Sequence, residues 1–218
     1  MLFRNLLLRI WYRIIEIPDR GLPQGARKDS FDAEHGTNTS GVQWWTNPRS
    51  ENFARGIRYQ PCSPELCRMA IERSGVDPEQ FCFLDIGCGK GRALIIATEY
   101  GFKDLIGVDY SAKLCRVAKR NLRTCGVERF QIVTSDATRF DYPTVNTLAF
   151  FYHPFTEVVL ETVLEKLRAA TFERKLVLAY VGPGGDLMLG QAWLEQIYTI
   201  PGLRLFQKRQ SPKSKTAA

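Results

Sequence analysis

The chain has little of what metal or thiol-redox chemistry requires. Only two histidines occur, His35 and His153, and the six cysteines (Cys62, Cys67, Cys82, Cys88, Cys115 and Cys125) form no C-x-x-C pair. Such a set predicts no metal site, and cysteines scattered through core-like contexts suit a reducing, cytoplasmic compartment. No apolar run approaches the ~18 uninterrupted residues of a membrane-spanning helix. Internal repeats and low-complexity tracts are absent. The net charge of +7 is moderate for 218 residues. It permits contact with nucleic acid or an acidic membrane without requiring either. With 44% apolar residues, the composition is that of one globular domain with an N-terminal extension.

What is present is organised around Phe81-Cys-Phe-Leu-Asp-Ile-Gly-Cys-Gly-Lys-Gly-Arg92. Phe81 to Ile86 is a short, mostly apolar run that ends in a glycine cluster, the pattern of a buried strand. Gly87, Gly89 and Gly91 permit a tight turn and close backbone approach to a ligand. Ala93 to Thr98 then begins a packed helix whose first N–H groups are donors without intrahelical partners. Strand, glycine turn and helix make half of a nucleotide-type βαβ unit. A nicotinamide or flavin site favours G-x-G-x-x-G, whereas here the spacing is Asp-x-G-x-G-x-G. An acid at Asp85 would repel a pyrophosphate and would suit a cationic ligand.

Two further strands end the same way. Asp104 to Asp109 closes on an acid 22 residues after Gly87, and Phe130 to Ala137 contains Asp136. A carboxylate at Asp109 can accept from both hydroxyls of a ribose. Each acid alone could be an ordinary helix cap; three strand-terminal acids in succession fit capping poorly.

These stretches resemble the motifs of the class I, Rossmann-type S-adenosylmethionine (SAM) dependent methyltransferases, over roughly residues 55–208. The resemblance implies a doubly wound α/β fold with a mostly parallel seven-stranded sheet of order 3-2-1-4-5-7-6, the last strand antiparallel. It places Asp85 near the methionine amino group and Gly87, Gly89 and Gly91 under the cofactor. Asp109, followed by Tyr110, falls at the ribose, and Asp136 with Ala137 at the adenine. The implied reaction is methyl transfer to a nucleophile with release of S-adenosylhomocysteine (SAH), without a metal. Arg58-Tyr59-Gln-Pro61, 26 residues ahead of Asp85 at Tyr59, is similar to a subset that includes the lysine methyltransferases of the ATP synthase c-subunit. That likeness places Tyr59 beside the methionine end of the cofactor.

The fourth strand, Thr147 to Tyr152, delivers His153-Pro154-Phe155 to the edge where open α/β sheets bind ligands. Amino-group methyltransferases often carry Asn/Asp-Pro-Pro-Tyr/Phe there, and nearer relatives Tyr-Asn-Pro-Phe. Here His153 replaces the amide. A neutral imidazole accepts one hydrogen bond or a proton but lacks an amide's paired donor and acceptor. Tyr152, His153, Pro154 and Phe155 are the candidates for the acceptor side, against the alternative of a strand-ending turn. The acceptor is then a protein amine such as lysine, a small or lipid-associated molecule, or, third, RNA. A SAM-binding subunit without catalysis is the reading from a different class.

The flanks are less specific. Residues 2–17 read as an amphipathic helix, with Asn5, Arg9, Arg13 and Glu16 expected on its polar face. It either packs on the domain or a partner, lies on a membrane surface, or serves as a presequence. Residues 18–60 read as a long connecting segment with one short helix, whose notable parts are Phe31 to Gly41 and Trp44-Trp45. A loop of this length covers something or is functional, so it is either a lid or an edge plug; His35 within it is expected to be a hydrogen-bonding surface residue.

Ser63-Pro64 starts a helix to about Arg73. Helices are expected over Ala112–Thr124, with Leu114, Val117, Ala118 and Leu122 inward, and over Thr156–Ala170, with Val158, Val159, Leu160, Val163 and Leu167 inward. Lys175 to Val181 is a fifth strand, closed by the glycine-rich residues 182–185. A helix over Leu187–Glu195 and a short hairpin turning at Pro201-Gly202 complete the domain. The units are therefore 1–54, 55–208, and a basic, disordered tail at 209–218; no oligomeric state is implied.

Overall fold

The computed structural model describes residues 29–41, 59–182 and 185–209. The expected amphipathic helix at 2–17, Trp44, Trp45 and the tail from 210 onward lie outside them. In chain order the elements are α1 (Ser30–His35), α2 (Pro64–Arg73), a 3-10 turn (Pro78–Gln80), β1 (Cys82–Ile86), α3 (Arg92–Thr98), β2 (Asp104–Asp109), α4 (Ala112–Thr124), β3 (Gln131–Thr134), β4 (Thr147–Tyr152), α5 (Glu157–Ala170), β5 (Leu176–Val181), α6 (Asp186–Leu189), β6 (Leu194–Ile200) and β7 (Leu203–Lys208).

The seven strands form one sheet in the order β3-β2-β1-β4-β5-β7-β6. The first five pair in parallel, and β7 runs antiparallel to both its neighbours. The doubly wound architecture expected above is therefore found. Parallel strands need cover on both faces, and β1 is buried throughout. Its side chains alternate between two cores. Phe83 joins α2, α3 and α4 on one face, with Leu94, Ala118, Leu122 and Phe150. Leu84 and Ile86 join α5 on the other, with Phe151, Val163, Leu167 and Phe206. Asp85, between Leu84 and Ile86, points to the first face at the C-terminal edge of the sheet.

Helix ends follow the local signals. Ser63 caps α2, its hydroxyl accepting from the Leu66 N–H, and Ser111 caps α4 in the same way. Four expectations need correction. β3 ends at Thr134, two residues before Asp136, because the chain turns at Ser135. The helix expected over Leu187–Glu195 is one turn only, α6, since Leu194 onward pairs with β7. The hairpin is accordingly long, and the irregularity between Gln196 and Tyr198 takes up one residue of β6. Val158 is exposed and Val117 half-buried, whereas Leu164 of α5 and Asn121 of α4 lie inward.

Candidate functional site

The glycine loop is built by β1 crossing to α3 over the end of β2. Gly87 and Cys88 both donate their N–H groups to the Val108 carbonyl, at 2.8 and 3.0 Å. Gly87, Gly89 and Gly91 have φ of 84°, 53° and 85°, a region that side-chain-bearing residues seldom adopt. The missing side chains also make room for the chain's own residues. A Cβ at position 87 would lie 2.6 Å from Pro154 Cβ, and one at 89 would lie 2.2 Å from the Tyr59 ring. So two segments distant in sequence, Tyr59 and His153-Pro154-Phe155, converge on this loop through its glycines.

Asp85 and Asp109 are both buried beside it. Asp109 accepts from the Gly89 N–H at 3.0 Å and the Ser111 N–H at 2.8 Å. Burial pushes its carboxyl up to about 6 despite those bonds. Asp85 is pushed further, to about 8, by burial and then by the neighbouring Asp109 charge. Two carboxylates placed so that each disfavours the other's ionisation make a site that a cation relieves. Arg92 and Lys90 do not supply it to them. The Arg92 guanidinium donates to Thr39, to the Cys62 carbonyl and to the Asp29 carboxylate. Lys90 donates to the Ser40 carbonyl, and burial lowers its pKa.

The adenine-side candidates sit one strand away. Ser135 donates its N–H to the Asp109 carbonyl at 3.1 Å, holding the turn after β3 against the end of β2. One carboxylate oxygen of Asp136 accepts from both the Thr138 N–H and the Thr138 hydroxyl, a local turn of the kind a capping aspartate makes. Tyr142 donates to the Ala137 carbonyl and fixes the residue that follows Asp136. Tyr110 is half-buried, and burial raises its pKa.

At the end of β4, His153 has φ of 40°, the one positive value among the described non-glycine residues. Gly182 leaves room for its side chain, since a Cβ there would stand 2.8 Å from His153 Cβ. His153 Nδ1 lies 2.7 Å from the Tyr180 hydroxyl. Burial lowers the imidazole pKa to about 4, so the ring is neutral at pH 7. Tyr152 lies on the first core face, and burial raises its phenol to about 12. Phe155 packs on the second. His35 stacks on Phe31 at 4.1 Å, contacts the Phe31 carbonyl and faces the Glu99 carboxylate at 3.9 Å.

The glycine loop therefore assembles Asp85, Asp109, Tyr59 and Pro154, with Asp136 and Ala137 joined through β2. Sequence reasoning did not single out Asp29, Asp32, Thr39, Lys90, Arg92, Asn121 or Tyr180. Asn121 carried a readable signal, a polar residue in the apolar stripe of α4 beside Ala118 and Leu122. Among the described residues no group of three or more His, Cys, Asp or Glu side chains is arranged to hold a metal ion. No helix among them is long and apolar enough to cross a membrane.

Known proteins resemble part of this chain in sequence and most of it in fold. Residues 83–171 match the family model described as a methyltransferase domain. A curated relative, protein-L-isoaspartate O-methyltransferase of Thermotoga maritima, is 34% identical over 88 residues, 39% of this chain. The match spans 27% of that protein's length. The fold is shared with a ribosomal protein L11 methylase of Lactobacillus delbrueckii subsp. bulgaricus, at TM-score 0.53 and 16% identity over 72% of this chain and 83% of that one. It is also shared with an RNA methyltransferase of Salinibacter ruber solved with SAH, at TM-score 0.51 and 19% identity over 71% and 97%. Residues 83–171 are thus similar to a methyltransferase domain, and the chain shares the Rossmann-like fold of these solved methyltransferases.

Proposed function

We propose that the protein is a SAM-dependent methyltransferase whose acceptor is a protein amine, lysine first. The observation that carries it is the buried Asp85–Asp109 pair against a glycine loop, inside a domain that matches methyltransferases. SAM is the cationic nucleoside that such a site fits: Asp85 would take its ammonium, Asp109 its ribose hydroxyls, and the turn at Asp136-Ala137 its adenine. When bound it supplies an activated methyl on sulfonium sulfur and leaves as SAH. The protein's own task is alignment and exclusion of water.

The acceptor reading rests on the end of β4. A neutral His153, anchored by Tyr180, adds no positive charge beside a cationic cofactor. It can also accept a hydrogen bond from an uncharged amine and so aim the nitrogen lone pair. The relatives act on different acceptors by name, so their likeness does not select one. A small or lipid-associated acceptor is the second reading. Exposed Val158 and Leu189, just beyond the C-terminal ends of β4 and β5, support it.

The test is calorimetry with SAM, SAH and NAD, then transfer of labelled methyl to a cell extract. Binding of the two sulfur ligands alone, with label in protein as methyl-lysine, is expected. Label in the organic-soluble fraction selects the second reading. Binding without transfer, unchanged in His153→Asn, would make the chain a non-catalytic SAM-binding subunit.

A further inference from the structure

The segment Asp29–Gly41 carries a polar network that the site just described does not use. Its buried residues are Phe31, Asp32, Thr37 and Thr39, three of them polar. One Asp32 oxygen accepts from the Thr37 hydroxyl, the Thr39 N–H and the Thr39 hydroxyl, each at 2.7 Å. The other accepts from the Ser40 N–H at 2.6 Å. Residues 37–40 are thereby wrapped around a single carboxylate.

The outward groups of this wrap all go to the glycine loop and its neighbours. Thr39 accepts through its hydroxyl from Arg92 Nε at 2.7 Å and through its carbonyl from the Tyr59 hydroxyl. The Ser40 carbonyl accepts from Lys90 Nζ at 2.6 Å, and the Asp29 carboxylate pairs with Arg92. Asn121 bonds both Asn38 and the Lys90 carbonyl, which ties the same segment to α4. Both cations of Gly89-Lys-Gly-Arg92 thus point into the segment 29–41. A strap that only covered apolar surface would not draw in the two loop cations and the tyrosine on Gly89 together.

We infer that Asp29–Gly41 is a component of the cofactor site. Asp29, Asp32 and Thr39 are positioning residues that seat Tyr59 on Gly89 and hold the Lys90 and Arg92 charges away from a cationic ligand. The inference rests on the proposed SAM reading. Its physical content is a charge effect. An unneutralised Arg92 would repel a sulfonium, whereas SAH, a neutral thioether at that atom, would feel it less.

The experiment measures SAM and SAH affinities by calorimetry for the wild type, Asp29→Asn, Thr39→Val and Thr39→Ser. Asn caps a helix as well as Asp does, so Asp29→Asn keeps the start of α1 through its remaining oxygen and removes the charge and the acceptor that face Arg92. It is expected to weaken SAM about three- to tenfold more than SAH at low salt. Thr39→Val should weaken both ligands about fivefold or more, and Thr39→Ser should restore them. A folded Asp29→Asn variant with an unchanged SAM-to-SAH ratio overturns the role of the strap, whether or not Thr39→Val folds. A wild type that binds neither ligand removes the proposed function first, and the strap's role with it.

Discussion

At the scale of single residues, the site is organised by burial acting on charge. Asp85 at about 8 and Asp109 at about 6 hold protons in the folded chain that they would release when unfolded. Their raised values mean that this contribution to stability falls as pH rises from the ordinary 3.8 through 8. Asp85→Asn should therefore raise the thermal midpoint at pH 8 by the equivalent of about 1–2 kcal/mol while removing SAM binding. A variant that binds normally would contradict the ammonium assignment. Asp109→Ala is expected to weaken SAH binding by at least ~1 kcal/mol, read by calorimetry. A cationic ligand favours the ionised carboxylates, so SAM uptake near pH 7 should release protons. Titrations in two buffers of different ionisation enthalpy measure that release directly.

His153 carries the opposite sign. Its folded value of about 4 lies below the ordinary 6.5, so its contribution is present above 6.5 and lost as pH falls towards 4. His153→Asn tolerates the positive φ, and it should lose roughly 1–2 kcal/mol less stability than the wild type between pH 7 and 5. Denaturant melts at the two pH values check this. Equal losses would mean that the ring is not held neutral by its surroundings.

At the scale of elements, the glycine loop is a junction more than a turn. Gly87 admits Pro154 from the end of β4, Gly89 admits Tyr59 from the approach to α2, and Gly91 starts α3 against Ala118 of α4. Gly89→Ala would drive a methyl into the Tyr59 ring at a positive φ. The expected cost is about 2–4 kcal/mol of stability, together with loss of SAM binding. Gly75→Ala is the control. It shares the positive φ but has open space around it, so only the backbone cost of about 1 kcal/mol is expected. Comparable losses in the two variants would show that sterics at Tyr59 are unimportant.

At the scale of the whole molecule, two cores lie on either side of one sheet, and the loop joins segments from four strands at its C-terminal edge. A ligand bound there should stabilise the chain as a unit. SAH at a hundred times its dissociation constant is expected to add about 2.7 kcal/mol, seen as one concerted upward shift of the melt. A transition that splits into two instead would show that the strap and the sheet unfold separately.

The parallel sheet order followed from the family resemblance, while local sequence patterns specified the strands, the acids Asp85 and Asp109 at the ends of β1 and β2, and the glycine loop. Each of these is a local pattern: a buried apolar run, an abrupt glycine cluster, a spacing that admits a cation and excludes a pyrophosphate. The cap at Ser63 was legible for the same reason. The far end was less so, because whether Leu194 joins a helix or a strand depends on the edge that β7 offers it, 14 residues away at Lys208. The contacts of the polar stretch Asp29–Gly41 were not legible in this way. Hydrogen bonds between Asp32 and Thr39, or Thr39 and Tyr59, have no period and no fixed spacing. They exist because folding brings a buried carboxylate, two loop cations and a tyrosine to one place, where each must find a partner or remain in water.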